Sequence, residues 1–208
     1  MTGTCSRCGS RKGLRRCPAL AGPICPRCCG ANRLVRIACP TACPHRAAHE
    51  AFQREKQGAR YREVLALQNA DLREREGDFR LLLAVADLVE RAAERIPGLS
   101  DGDVARSLDE TSCQLSPISL VTQAPSSLTR LLLEELSPLV AEGKVPRDRL
   151  REGLGRLAKI AAAMRDPSAP RAFLQGLSHY LDSTLPRRDE GTKRGLILTP
   201  DDLRRARG

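Results

Sequence analysis

Residues 1–45 of the chain read MTGTCSRCGSRKGLRRCPALAGPICPRCCGANRLVRIACPTACPH. This stretch holds eight of the nine cysteines in the 208-residue chain. The eight are Cys5, Cys8, Cys17, Cys25, Cys28, Cys29, Cys39 and Cys43. Two C-x2-C pairs, Cys5/Cys8 and Cys25/Cys28, stand 16 residues apart, which is a spacing typical of four-thiolate zinc sites. Each C-x2-C turn points two sulfurs at one ion, so the sequence predicts a zinc-binding module at residues 1–46.

The number of cysteines predicts two zinc ions. Cys28 and Cys29 are adjacent, and neighbouring side chains normally diverge, so we assign them to different ions. If Cys28 joins the first site, a second complete set remains, and the two sets interleave in a cross-braced module. That second set is Cys17, Cys29, Cys39 and Cys43. Exchanging Cys28 for Cys29 gives an equally acceptable assignment, and His45 or His49 could substitute for a thiolate.

These predicted sites favour a structural role for the metal. A zinc ion with four protein ligands has no open position for water or substrate, and it contributes folding free energy. The chain also has no phosphate-binding glycine loop, no nucleophile elbow and no metal-binding spacing of carboxylates. We therefore expect no enzymatic activity. Cys113 is expected to be a small buried apolar residue, and His179 a structural histidine.

The interleaved cysteines resemble the MYND and HIT classes of small two-zinc finger, although the last cysteine pair departs from both. The run CPALAGPICPRCCGANRLVRIACPTACPH, residues 17–45, is also similar to the N-terminal cluster of a group of uncharacterised bacterial proteins. That group carries a comparable pattern of CPAL, CxxCCG, a basic stretch and two CP elements. The likeness covers about the first fifth of the chain. It implies zinc binding and no established activity.

Positive charge is concentrated in the same module. The chain has a net charge of +10, and residues 1–46 contain nine basic side chains and no acidic one. Eight thiolates with two zinc ions carry −4, so the metallated module carries about +5. The residues that we expect to contact phosphate or a protein partner are Arg7, Arg11, Lys12, Arg15, Arg16, Arg33 and Arg36. The module has no aromatic residue, which argues against base stacking on single-stranded nucleic acid.

The rest of the chain predicts a mainly α fold. Apolar residues recur at helical spacing, and short connections favour antiparallel neighbours in a small bundle. We expect helical segments at residues 47–115 and 126–185. Between them, residues 116–125 are expected to form an extended connector, the one short extended segment of the bundle. Residues 186–208 are expected to form a basic tail.

Several local signals predict where these helices begin and end. The first helix should run from Arg46 to about Glu76, weakened at Gly58 and broken near Gly77. The next should end at Pro97, and Ser100 with Asp103 three residues later predicts a capping box. A kink or a stop is expected at Ser137-Pro138.

The sequence shows no signal peptide and no apolar run of about 18 residues, so we expect a soluble cytoplasmic protein without membrane attachment. Three hypotheses for function follow. The first is a zinc-stabilised adaptor or regulatory protein whose module docks on a protein partner. The second is a zinc-stabilised factor that contacts nucleic-acid phosphates with little sequence preference. The third is a thiol sensor that signals by losing zinc. Nothing in the sequence indicates the oligomeric state.

Overall fold

The computed structural model describes residues 3–116 and 124–185. The chain divides into two compact units, Met1–Gln53 and Arg54–Gly208. The described residues contain seven α-helices and one two-stranded sheet, so the predicted mainly α class is confirmed. Most of the predicted connector at 116–125 and the whole tail at 186–208 lie outside the described residues. Among the described helices, none combines the length and the apolar character that crossing a membrane requires.

The first unit contains a hairpin that the sequence did not predict. Strand β1 (Arg15–Cys17) pairs antiparallel with β2 (Gly22–Ile24), with Arg15 opposite Ile24 and Cys17 opposite Gly22. A short 3-10 turn at Pro18–Leu20 joins the strands, and Ala21 closes it with a positive φ of 48°. Helix α1 (Pro26–Asn32) follows directly after β2. The hairpin thus delivers the chain to Cys25 at the start of α1.

Six longer helices complete the described structure. They are α2 (Pro44–Gln68), α3 (Glu76–Arg95), α4 (Asp101–Gln114), α5 (Ser127–Ala141), α6 (Arg147–Ala163) and α7 (Ala172–Thr184). In the second unit, one apolar core joins the helices on both sides of the predicted connector. Its centre consists of fully buried leucines such as Leu82, Leu108, Leu132 and Leu154. The leucine stripes in the sequence are therefore core-facing.

The predicted helix ends are partly confirmed. Helix α3 ends before Pro97, and Ser100 forms a capping box with Asp103 at the start of α4. Helix α2, however, ends at Gln68 and not near Glu76. The buried Asn69 side chain donates to the Leu65 carbonyl at 3.1 Å, and a 3-10 turn follows at Ala70–Arg73. Asparagine side chains compete with the helical ladder in this way, so the earlier end has a local cause.

Proline 138 does not stop its helix. Helix α5 continues through Pro138 to Ala141. A proline removes one backbone donor from the ladder, and here only three residues of helix follow it. The lost hydrogen bond therefore affects only the last turn of α5. The expected stop at Ser137-Pro138 is wrong.

Two glycines allow α2 and α7 to approach closely. A Cβ atom at Gly176 would lie 2.6 Å from the Gln57 carbonyl oxygen, and one at Gly58 would lie 2.3 Å from His179 Nδ1. The fully buried Tyr61 ring lies beside this crossing, 5.9 Å from Phe173 and 5.2 Å from Tyr180 between ring centroids. Burial raises the pKa of Tyr61, so its hydroxyl stays protonated. Gly58 is therefore a close-packing position and not merely a weak point.

A buried carboxylate connects α4 to α7. The Asp101 side chain accepts hydrogen bonds from the backbone N–H groups of Phe173 at 2.8 Å and Leu174 at 3.2 Å. These two donors belong to the first turn of α7, where no carbonyl of the helix itself is available. Burial raises the pKa of Asp101, and the backbone donors oppose that rise.

An ion-pair network lies on the surface of the second unit. The Arg156 guanidinium donates to Asp71 at 2.6 Å and to Glu152 at 2.7 Å. It also donates to the Asn69 side chain at 3.2 Å. Hydrogen bonds from Arg156 lower the pKa of both Asp71 and Glu152. The network links the turn after α2 to α6.

Candidate metal centre

The first C-x2-C pair lies on a tight turn. The Cys5 N–H donates to the Arg11 carbonyl at 2.8 Å, and the Gly9 N–H donates to the Cys5 carbonyl at 2.8 Å. Gly9 has a φ of 64°, a left-handed conformation that glycine adopts without steric cost. The chain therefore reverses just after Cys8, and both sulfurs of the pair remain on the same side of the turn.

The second C-x2-C pair lies at the start of α1. Cys25 is the N-cap residue, and its sulfur accepts from the Cys28 N–H at 3.4 Å. Pro26 occupies the first helical position, where its fixed φ suits the helix and its missing N–H costs nothing. Cys28 follows within the first turn. The helix start thus holds the two sulfurs near each other.

The two pairs converge. The sulfurs of Cys5, Cys8, Cys25 and Cys28 all lie within 4.8 Å of one another. A hydrogen bond from the Ser6 N–H to the Pro23 carbonyl, 2.8 Å long, ties the first turn to the strand that leads into Cys25. A Zn–S bond of about 2.3 Å in a tetrahedron places sulfurs about 3.8 Å apart. The four cysteines therefore need only small shifts to hold one zinc ion.

The protonation of these thiols is uneven. Hydrogen bonds from the Ser10 side chain, and then from backbone N–H groups, lower the pKa of Cys8 to about 5. The hydrogen bond that Cys28 shares with the Cys25 sulfur, together with burial, raises the pKa of Cys28 to about 12. Burial alone would raise the pKa of Cys5, but backbone donors lower it overall. A bound dication would remove these differences in protonation, because it stabilises all four groups as thiolates.

The structure distinguishes between Cys28 and Cys29. Cys28 joins the four-cysteine group, which corresponds to our first assignment. Cys29, the next residue of the same helix, is buried and is not part of that group, and Arg33 Nη2 donates to its sulfur at 3.8 Å. Burial would raise the pKa of Cys29, but hydrogen bonds from the Arg15 and Arg33 guanidiniums lower it overall.

The other predicted ligands do not converge in the described residues. There, Cys5, Cys8, Cys25 and Cys28 form the single group of three or more potential metal ligands. Cys17 and Cys43 are buried and Cys39 is half-buried. On α2, His45 is half-buried and His49 is exposed, and neither belongs to the group. Cys113 is exposed on α4, so the expectation that it is buried was wrong; its position on the helix points away from the core.

The predicted basic residues are mostly accessible. Arg7, Arg11, Lys12, Arg16 and Arg36 are exposed, and Arg15 and Arg33 are half-buried. The Arg7 side chain donates to Asn32 Oδ1 at 3.5 Å. Within the first unit, Glu50 forms an ion pair with Arg46 at 2.7 Å, and Arg46 is not one of the seven predicted contact residues.

Several exposed apolar side chains in the first unit were missed in the sequence. Leu14 is 64% exposed, Leu34 is 53% exposed and Val35 is 80% exposed. Leu34 and Val35 lie in a turn at residues 34–36, directly after α1, and Leu34 has a left-handed φ of 59°. The sequence did contain a signal for this feature. Leu34 and Val35 stand together between Arg33 and Arg36, without the glycine, asparagine or aspartate that usually occupies a surface turn.

The chain matches no protein-family model, no curated protein and no solved structure. The resemblance to MYND and HIT fingers therefore stays one of cysteine spacing. The convergent four-cysteine group is consistent with a cysteine-cluster finger of some kind.

Proposed function

We propose that the unit Met1–Gln53 is a zinc-stabilised adaptor module that docks on a protein partner through its 34–36 turn. The observation that carries this proposal is the exposure of Leu34 and Val35 on a constrained backbone. A bulky residue with a positive φ is sterically costly, and such strain persists only where the surroundings enforce it. Contiguous exposed apolar side chains on a small module are typical of an interaction surface.

Hydrogen bonds hold this turn in place. The Asn32 carbonyl accepts from the N–H groups of Arg36 at 3.0 Å and Ile37 at 2.9 Å, and the Leu34 N–H donates to the Ile37 carbonyl at 3.1 Å. Ile37 is itself buried in the cysteine-rich core of the module. The apolar side chains are thus presented by a fixed scaffold, so little conformational entropy is lost on binding.

Zinc supports the same scaffold in this proposal. The four-cysteine group includes Cys25 and Cys28 at the start of α1, and the 34–36 turn is bonded to Asn32 at the end of that helix. Loss of the metal would release the start of α1 and loosen the turn. The module acts by binding and not by catalysis, because a four-thiolate zinc ion has no open position.

The proposal includes a second zinc ion bound by the remaining set, Cys17, Cys29, Cys39 and Cys43. Its support is that Cys17 and Cys29 are buried in one apolar cluster with Ile24 and Ile37, against which Cys39 packs. The Arg15 and Arg33 guanidiniums supply positive charge to the Cys29 sulfur. A zinc ion would take over that role, and these two side chains would then turn toward solvent.

Nucleic-acid binding is the second candidate. It is supported by the absence of acidic residues in 1–46 and by the exposure of Arg7, Arg11, Lys12, Arg16 and Arg36. Contacts of this kind are made to phosphates, so their affinity falls steeply with salt. The exposed leucines and valine have no part in such contacts, and for this reason we favour a protein partner.

A photo-cross-linking residue placed at Val35 of the full chain tests the proposal in cells. The control position is Leu67, which is 74% exposed and equally apolar but belongs to the second unit. We expect a discrete protein adduct from position 35 that resists nuclease and high salt, is absent from position 67, and disappears with Leu34→Ser. Zinc content of each variant shows whether the module is intact.

Two results would reject the adaptor role. A nuclease-sensitive adduct that is lost with Arg7→Ser/Arg11→Ser identifies a phosphate-contacting module. The absence of any specific adduct at position 35, in protein that retains its zinc, shows that the 34–36 turn is not a docking surface.

A further inference from the structure

The second unit contains a groove with an apolar floor. It lies between the end of α2, the turn at Ala70–Arg73, the start of α3 and the last turns of α7, and its volume is about 500 Å³. Leu65, Leu72, Phe79 and Tyr180 form the floor. This volume falls within the roughly 300–1,000 Å³ that ligand clefts occupy. The groove is large enough to receive a few aliphatic side chains.

The rim of the groove is polar and includes positive charges without an ion-pair partner among the described residues. Arg62, Arg73 and Glu76 line it. Glu76 pairs with Arg80 at 2.6 Å. Neither Arg62 nor Arg73 has an ion-pair partner among residues 3–116 and 124–185, and both are exposed. An occupant with an apolar segment next to acidic residues would complement both floor and rim.

The chain's own C-terminal segment begins beside this groove. Tyr180 lies on the groove floor, and Leu185, the last described residue, packs partly against the same core. Five helical residues span about 7.5 Å, so the chain leaves α7 close to the groove. Residues 186–208 then follow.

That segment has the required chemistry. The segment is basic overall, with seven basic and four acidic residues. Its apolar residues are nevertheless concentrated in Leu196, Ile197 and Leu198, and the first charges that follow them are the carboxylates of Asp201 and Asp202. Leu196 lies eleven residue steps beyond Leu185, and an extended chain of that length reaches about 36 Å. The reach therefore exceeds the distance to the groove several-fold.

We propose that the groove of Leu65, Leu72, Phe79 and Tyr180 binds the chain's own residues 196–198, with Asp201 and Asp202 paired to Arg62 and Arg73. Tethering favours this occupant, because a segment joined by a short linker has an effective concentration in the millimolar range. Closing the loop costs little more as its length grows, so the linker does not prevent docking.

Methyl-labelled NMR of the full chain tests the proposal directly. With the isoleucine δ methyls labelled, we expect contacts from Ile197 to the ring protons of Phe79 and Tyr180, unchanged on tenfold dilution. Backbone amides at 196–198 should exchange at least tenfold more slowly than in a free peptide of residues 186–208. Leu196→Ser/Leu198→Ser should abolish both signals, whereas the charge-only control Lys193→Ser/Arg194→Ser in the same segment should keep them.

Charge reversal tests the rim. Arg62→Glu/Arg73→Glu should weaken the Ile197 contacts at least threefold at low salt, and adding Asp201→Lys/Asp202→Lys should restore them. Arg130→Glu, an exposed change on α5, should have no effect. The proposal is overturned if Ile197 shows free-peptide shifts and no ring contacts in the full chain. It is equally overturned if the contacts appear only between labelled and unlabelled molecules in a mixed sample, because the occupant is then a second copy.

Discussion

Gly176→Ala and Gly155→Ala are the same kind of substitution, but we expect them to change the free energy of unfolding in opposite directions. Both glycines lie within helices, where alanine is favoured over glycine by about 1 kcal/mol. A Cβ at Gly155 meets nothing within 4 Å. Gly155→Ala should therefore raise the free energy of unfolding by up to about 1 kcal/mol.

At Gly176 the added methyl meets atoms that cannot move aside. It would lie 2.6 Å from the Gln57 carbonyl oxygen and 3.0 Å from Tyr61 Cβ. Both belong to α2, so relief requires a shift of that helix. Overpacking of this kind costs about 1–3 kcal/mol, and the short contact with backbone places this site at the upper end. After the gain in helix propensity, Gly176→Ala should lose about 1–2 kcal/mol of stability.

Urea unfolding followed by tyrosine fluorescence measures both variants. The chain has no tryptophan, and its two tyrosines, Tyr61 and Tyr180, both belong to the core of the second unit. The signal therefore reports on the unit that contains both substitutions. We expect the two midpoints to move in opposite directions from the wild type. If Gly176→Ala is as stable as the wild type, α2 and α7 do not cross as closely as described.

Two further predictions concern buried and surface charge. Asp101→Ala leaves two buried N–H donors of α7 without an acceptor and should cost roughly 2–4 kcal/mol in urea unfolding. The capping change Asp103→Ala, at a half-buried residue, should cost only about 1 kcal/mol, so equal losses would contradict the role of Asp101. Arg156→Met should destabilise the chain at neutral pH. Because Arg156 lowers the pKa values of Asp71 and Glu152, its contribution is present above their ordinary pKa values, near pH 4, and is lost as pH falls through the lowered ones. If Arg156→Met lowers the free energy of unfolding equally at pH 7 and pH 3, Arg156 acts through packing alone.

Local signals in the sequence predicted the helical part well. The apolar stripes identify the core faces, and Pro97 and the Ser100–Asp103 pair act through bonds within a few residues. Gly58 was harder to interpret. Its effect depends on His179, more than a hundred residues away, and no local pattern shows which glycine lies at a helix crossing. The contact from Asp101 to Phe173 was hidden for the same reason.

The metal module shows a similar division. The C-x2-C spacing identified Cys5, Cys8, Cys25 and Cys28 because each pair is a local turn. The choice between Cys28 and Cys29 depended on which face of α1 meets the first turn, and only the hairpin between Cys17 and Cys25 settles that. Cys113 was misjudged because burial of a single cysteine depends on the face of its helix, which its neighbours in sequence do not mark clearly.

Zinc content of the purified full chain, measured by native mass spectrometry, tests the central claim most directly. We expect two zinc ions in the wild type, one in Cys8→Ser, and two in the control Cys113→Ser. One zinc in the wild type and none in Cys8→Ser would refute the second zinc site but support the four-cysteine centre. A wild type without zinc, or a Cys8→Ser variant that binds as much zinc as the wild type, would contradict the account.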